Sequence, residues 1–132
     1  PTTLDEVLSY SNSHPLVFSG GLSPGQSTNA TAALIAERIK AKLFINATDV
    51  DGVFTSDPRK NKNAILIKAI TPKDLLKKLG NEPMNAGTYD LMDILSLKII
   101  ERSKIPTMVI KCDNRRIKSA ISGKSTGTKI IF

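Results

Sequence analysis

The sequence predicts an α/β protein built on a mainly parallel sheet. Two observations carry that expectation: short apolar runs alternate with segments of helical periodicity, and the first such run leads through a glycine turn into a helix and a second run. The composition agrees. Of 132 residues, 40% are hydrophobic and 23% charged, which is globular rather than disordered or collagen-like. That length suits one compact unit.

Leu16-Val17-Phe18, ended by Gly20-Gly21, reads as a first strand. Pro24-Gly25 continues the turn, and Ser27 or Thr28 caps a helix whose apolar face is Ala33, Leu34, Ala36, Ile39 and Ala41. Leu43-Phe44-Ile45 follows as a strand, completing a βαβ unit with parallel pairing and a right-handed crossover. Thr48 to Lys62 is polar and turn-rich, hence a loop, and Ile65-Leu66-Ile67 is a candidate short strand. Thr71 and Pro72 open a helix that Gly80 stops.

Asn81 to Gly87 reads as a loop. From Tyr89, residues Leu91, Met92, Leu95, Ile99 and Ile100 keep helical spacing to Ser103. Thr107 to Ile110 is a third strand, Arg115 to Ile121 a last helix stopped by Gly123, and Thr128 to Ile131 a closing strand.

Two segments carry chemistry. In Gly20-Gly21-Leu22-Ser23-Pro24-Gly25-Gln26-Ser27-Thr28 the glycines let backbone approach an anion, and the helix behind aims N–H groups at it. A plain turn with a Ser/Thr cap is the other reading. The second segment runs from Asn46 to Pro58, after a strand and so on the same sheet edge as the first. Its Thr48, Asp49 and Asp57 suit a ribose, a base edge or a metal-bound phosphate, and Phe54 suits stacking on a base; turn capping by the aspartates stands beside that reading.

Taken together, these segments resemble the amino acid kinase superfamily, most closely the archaeal type of uridylate (UMP) kinase. GGLSPGQST with the Ala-rich helix behind it, NATDVDGVFTSDPR, AGTYDLMD (Ala86 to Asp93), KIIERSKIP and GTKII carry the likeness, in order, over essentially the whole chain. It implies a three-layer α/β/α sandwich, of which residues 1–132 would be the carboxyl-terminal, ATP-binding half. It also implies transfer of the ATP γ-phosphoryl group to UMP with Mg²⁺, in pyrimidine nucleotide biosynthesis. Leu22, Ser23, Pro24, Gly25, Gln26, Ser27 and Thr28 would embrace UMP; Thr48, Asp49, Phe54 and Asp57 would surround ATP; Asp93 matches a carboxylate near the family's active site. A cytoplasmic homo-oligomer, a hexamer in the family, is implied as well.

Three departures stand out. Asn29 replaces an Asp frequent after the Ser/Thr pair, and Phe54 stands where Tyr is frequent. The family's amino-terminal Lys-and-glycine phosphate loop and acidic UMP contact have no counterpart, so Pro1 is expected to mark a cut and these residues alone to be inactive. The alternatives are a superfamily member acting on a carboxylate, carbamate or isoprenoid phosphate, and a non-enzymatic basic module binding nucleotide or nucleic acid.

The remaining residues are less informative. One Cys and one His make no four-ligand zinc site and no internal disulfide, and Cys112 fits a reduced, inert thiol in a cytosolic protein. His14 reads as surface, and Met84, Met92 and Met108 as core or loop filler. The formal charge is +7, from clusters at Arg59/Lys60/Lys62, Lys73/Lys77/Lys78 and Arg115/Arg116/Lys118 that read as solvated surface. With few aromatics to stack on bases, nucleic-acid binding is the weaker account of that charge. No apolar run approaches the roughly 20 residues of a membrane span.

Overall fold

A computed structural model of the chain describes residues 1–80 and 91–132. In chain order the elements are α1 (Leu4–Ser13), α2 (Thr28–Arg38), β1 (Phe44–Thr48), β2 (Ala69–Ile70), α3 (Pro72–Gly80), α4 (Ile94–Ser103), β3 (Thr107–Lys111), α5 (Asn114–Ile121) and β4 (Thr128–Ile130). They fall into two compact units: Pro1–Lys42 with Met92–Ile105, and Leu43–Leu91 with Pro106–Phe132.

The first unit is helical. Ala30, Ala33 and Ala36 bury one face of α2, and their small side chains let it lie close to α4, whose Leu97, Ile99 and Ile100 are buried. Across that seam the Arg102 guanidinium donates to both oxygens of Glu37, at 2.8 and 2.6 Å, and Ser103 Oγ donates to the same carboxylate. These donors hold the Glu37 carboxyl below its usual pKa, Arg102 first and Ser103 next. α1 packs against α2 through buried Val7. Its start carries a signal the periodicity reading passed over: Thr3-Leu4-Asp5-Glu6 has capping-box spacing. Thr3 Oγ1 accepts from Glu6 N at 3.2 Å, and the Glu6 carboxylate reaches back to Thr2 N at 2.6 Å.

The second unit holds the sheet, ordered β1-β3-β4-β2. β1 pairs with β3 and β2 with β4 in parallel, while β3 and β4 run antiparallel. In the register Phe44 faces Thr107 and Thr48 faces Lys111. Val109, Ile110 and Ile130 are fully buried, and α5 packs on β3 and β1. Behind the sheet the chain is closely fitted. Gly127 has φ +62°, and a Cβ there would lie 2.2 Å from Val109 O.

The structure corrects several expectations. Leu16-Val17-Phe18 forms no strand: no described strand pairs with it, and Leu16 and Phe18 are 68% and 81% exposed. A strand needs a neighbour to take its backbone hydrogen bonds. Without it the expected βαβ unit is not formed, and β1 finds its parallel partner in β3 instead. Of Ile65-Leu66-Ile67 only Leu66 pairs, in an isolated antiparallel bridge to Phe54; the strand begins later, at Ala69. α4 begins at Ile94, after the Asp93 cap, rather than at Tyr89, and Leu91 and Met92 precede it. α3, α5, β3 and β4 lie within a residue of their expected bounds, while β1 runs on to Thr48, α2 ends at Arg38 and α1 is unexpected. The expected Asn81–Gly87 loop, Met84, Tyr89 and the Ala86–Asp90 part of AGTYDLMD lie outside the described residues.

Candidate functional site

The glycine-rich turn of the first unit is shaped by its own residues. Gln26 N donates to Ser23 O at 3.3 Å, closing a four-residue turn with Pro24 second and Gly25, at φ +76°, third. That is the pattern of a type II turn, in which the third position favours glycine. Ser27 then caps α2, its Oγ accepting from Ala30 N at 3.0 Å. No atom lies within 4 Å of where a Cβ would stand on Gly20, Gly21 or Gly25, so the turn is open on its outer side. Beside it lies a cavity of about 310 Å³, to which Leu22, Ser23 and Gln26 contribute.

Asp93 belongs to this turn. Its Oδ1 caps α4 by accepting from Ser96 N at 2.8 Å, and its Oδ2 accepts from Ser27 Oγ. One carboxylate thus ties together the N-terminal ends of α2 and α4, whose dipoles favour a negative charge there. Because the single Ser27 proton goes to Asp93 and Gln26 N goes to Ser23 O, the backbone and hydroxyl donors at the start of α2 are the other loop amides and the exposed Thr28 hydroxyl. Asp93 therefore acts on the turn by holding Ser27.

The aspartate-rich loop of the second unit is organised by a residue that charge patterning had placed on the solvated surface. Arg59 donates through N and Nε to Asp57 Oδ1 at 2.9 and 3.1 Å, and through its second terminal nitrogen to Oδ2 at 3.3 Å. Its first terminal nitrogen lies 3.4 Å from Asp49 Oδ2. Thr48 Oγ1 donates to Asp49 Oδ1 at 3.0 Å. Thr48, Asp49, Asp57 and Arg59 therefore form one polar chain leading off the end of β1. The Arg59 side chain holds the carboxyl of Asp57, a buried residue, below the usual carboxylate range. Phe54 is half-buried beside its bridge to Leu66, with Thr55 N bonded to Ile65 O and Ile67 N to Val53 O on either side.

Buried Thr128 fixes the middle of this loop, accepting from Val53 N at 2.8 Å and donating to Ile67 O at 2.6 Å. Arg116 of α5 reaches Asp51 and its own cap residue Asp113, each at 2.5 Å. The Asp113 carboxyl is lowered accordingly, by the backbone N–H of Arg116 and then by its guanidinium. Arg59 is exposed as expected while also pairing with Asp57 and Asp49, and Arg116 is half-buried between Asp51 and Asp113, a correction to the solvated-surface expectation there. The Asp-x-Arg and Asp-x-x-Arg spacings (Asp57/Arg59 and Asp113/Arg116) were the signals available for both. Lys60, Lys62, Lys73, Lys77, Arg115 and Lys118 are exposed as expected. His14 and Cys112 are exposed too, and Met92 is core. Among the described residues no three His, Cys, Asp or Glu side chains cluster as metal ligands, and no helix is long and apolar enough to cross a membrane.

The comparisons with known proteins converge. The sequence profile of the amino acid kinase family matches residues 4–111. The chain is 42% identical over 130 residues to the uridylate kinase of Archaeoglobus fulgidus, covering 98% of this chain and 59% of that protein. It is 43% identical over 132 residues to the uridylate kinase of Sulfurisphaera tokodaii, covering 98% and 58%. The crystal structure of the A. fulgidus enzyme matches with a TM-score of 0.88 at 41% identity, over 99% of this chain and 59% of that one. The isopentenyl phosphate kinase of T. acidophilum matches at 0.56 and 25%, over 80% and 39%. The chain thus spans less than two thirds of the length of these relatives.

Proposed function

We propose, since this chain belongs to the amino acid kinase family, that its protein transfers the γ-phosphoryl group of ATP to UMP and so makes UDP in pyrimidine nucleotide biosynthesis. The observation that carries this reading is the whole-chain likeness to a uridylate kinase, at TM-score 0.88 and 41% identity, against 0.56 and 25% for an isopentenyl phosphate kinase.

Each loop then has a task. The Leu22–Thr28 turn binds the acceptor: its amides and Thr28 take the phosphate of UMP at the positive end of α2. Asp93 is a positioning residue that keeps the two helix starts and Ser27 in place. Thr48, Asp49, Phe54 and Asp57 hold ATP, the hydroxyl and carboxylates suiting ribose hydroxyls and the ring suiting the base. Phosphoryl transfer asks the protein chiefly for positioning and charge neutralisation, which such loops can supply. Mg²⁺ would arrive with the ATP phosphates, since this cation is commonly held by one or two carboxylates plus substrate phosphate; Asp49 has the right donor chemistry for it.

The 132 residues would be the carboxyl-terminal, ATP-binding half of a cytoplasmic homo-oligomer, a hexamer as in the family, and inactive alone. The deciding assay offers ATP-Mg²⁺ to the full-length protein with UMP, CMP, isopentenyl phosphate and acetylglutamate in turn. UDP formation well above the other products is expected. Faster turnover of another acceptor, or none of UMP, contradicts the assignment, and turnover by residues 1–132 alone contradicts the dependence on the rest of the protein.

A further inference from the structure

The cavity beside the glycine-rich turn has a polar arrangement that phosphate binding does not use. At about 310 Å³ it lies at the small end of ligand cavities, roughly 300–1,000 Å³. Leu4, Leu22 and Leu34 supply apolar wall, and Ser23, Gln26 and Thr31 supply polar groups. Thr31 is 3% exposed. Inside a helix a threonine hydroxyl commonly turns back to a carbonyl one turn earlier. Here that carbonyl, Ser27 O, already accepts from Thr31 N at 3.0 Å. The Thr31 hydroxyl donates instead to Gln26 Oε1, at 3.4 Å.

In that contact the oxygen is the engaged end of the carboxamide. An amide group has an acceptor end and a donor end, and with the oxygen accepting from Thr31 the NH₂ remains a donor on a residue that lines the cavity. Thr3 adds a donor, because its Oγ1 accepts from Glu6 N and keeps its own proton available. The slot is therefore apolar with donors on its rim, a match for a flat heterocycle bearing carbonyl oxygens.

We infer that Thr31 is a positioning residue for base selection: by holding Gln26 Oε1 it presents the Gln26 amide NH₂ to the 4-carbonyl of the pyrimidine, favouring uracil over cytosine, which carries an amino group there. This rests on the reading that the turn binds the acceptor nucleotide. An amino group meeting the Gln26 donor leaves both unpaired, whereas a carbonyl satisfies it.

The test is the ratio of kcat/KM for UMP to that for CMP in the full-length protein. Thr31→Val keeps the shape and removes the hydroxyl, so the ratio is expected to fall roughly two- to tenfold, mainly through KM for UMP. Thr31→Ser should restore it, which a packing role would not explain. Gln26→Leu, in the half-exposed turn, should lower the ratio at least as far even if Thr31→Val proves unstable. UMP turnover with an unchanged ratio in Gln26→Leu, or in a folded Thr31→Val, overturns the inference alone. Absence of UMP turnover in the wild-type protein overturns the acceptor reading and the inference with it.

Discussion

The two candidate loops both combine glycine with polar residues, yet they use them in opposite ways. At Gly20, Gly21 and Gly25 a side chain would meet nothing within 4 Å; at Gly52 it would meet Thr128 Oγ1 at 2.6 Å, and at Gly127 the carbonyl of Val109 at 2.2 Å. The first loop keeps its glycines where open space adjoins a cavity; Gly52 of the second is closed in by Thr128 and Leu66, and Gly127, just before β4, by the backbone of Val109. The first is held at its helical end, where Ser27 caps α2 and donates to Asp93. The second is held throughout, by Thr128, Arg59 and Arg116. A glycine with open space around it serves a turn or the close approach of another group; a glycine closed in by its neighbours serves the fold.

The sharpest break of that contrast is Gly127→Ala. Positive φ and a backbone carbonyl in the way together should cost about 3 kcal/mol or more, read by chemical denaturation of the full-length protein. Ser27→Ala should come next, at about 1 kcal/mol for a lost cap, with a weaker hold on Asp93 as well. A third test uses acid. The Asp57 carboxyl is held low by Arg59, so its contribution is present above the unfolded-chain value of about 3.9 and is lost as pH falls through the lower folded value. Wild-type stability should therefore drop in that acid window, and Asp57→Asn should flatten the drop; an unchanged slope would show that the Arg59 pairing contributes nothing. The smallest expected effect is Gly21→Ala, within about 0.5 kcal/mol of wild type. A large loss of stability there would erase the distinction between the loops, and weakened UMP binding without such a loss would sharpen it.

Much of this was legible in the sequence because the signals were local. Thr71-Pro72, Ser27 and Gly123 punctuate helices through their own backbone chemistry, so α2, α3 and α5 were readable from the residues alone. The run Leu16-Val17-Phe18 misled because strand propensity is realised only beside a partner, which no local pattern reports. α1 was legible too, in its capping-box spacing, Thr3 to Glu6. For the site, glycines and aspartates marked the two loops by residue type. What they did not mark is how each is held. The Ser27–Asp93 contact joins residues 66 apart in sequence, and the Thr128–Val53 contact residues 75 apart.

The central claim is that the loops divide the work, the turn at Leu22–Thr28 taking UMP and the segment Thr48–Asp57 taking ATP. Separate titrations of UMP and ATP into the full-length protein and its Thr28→Ala variant test it most directly. A roughly tenfold weaker Kd for UMP, with ATP binding nearly unchanged, is the expected result for loss of a hydroxyl bonded to a charged phosphate. Equal weakening of both nucleotides, or of ATP alone, would contradict it.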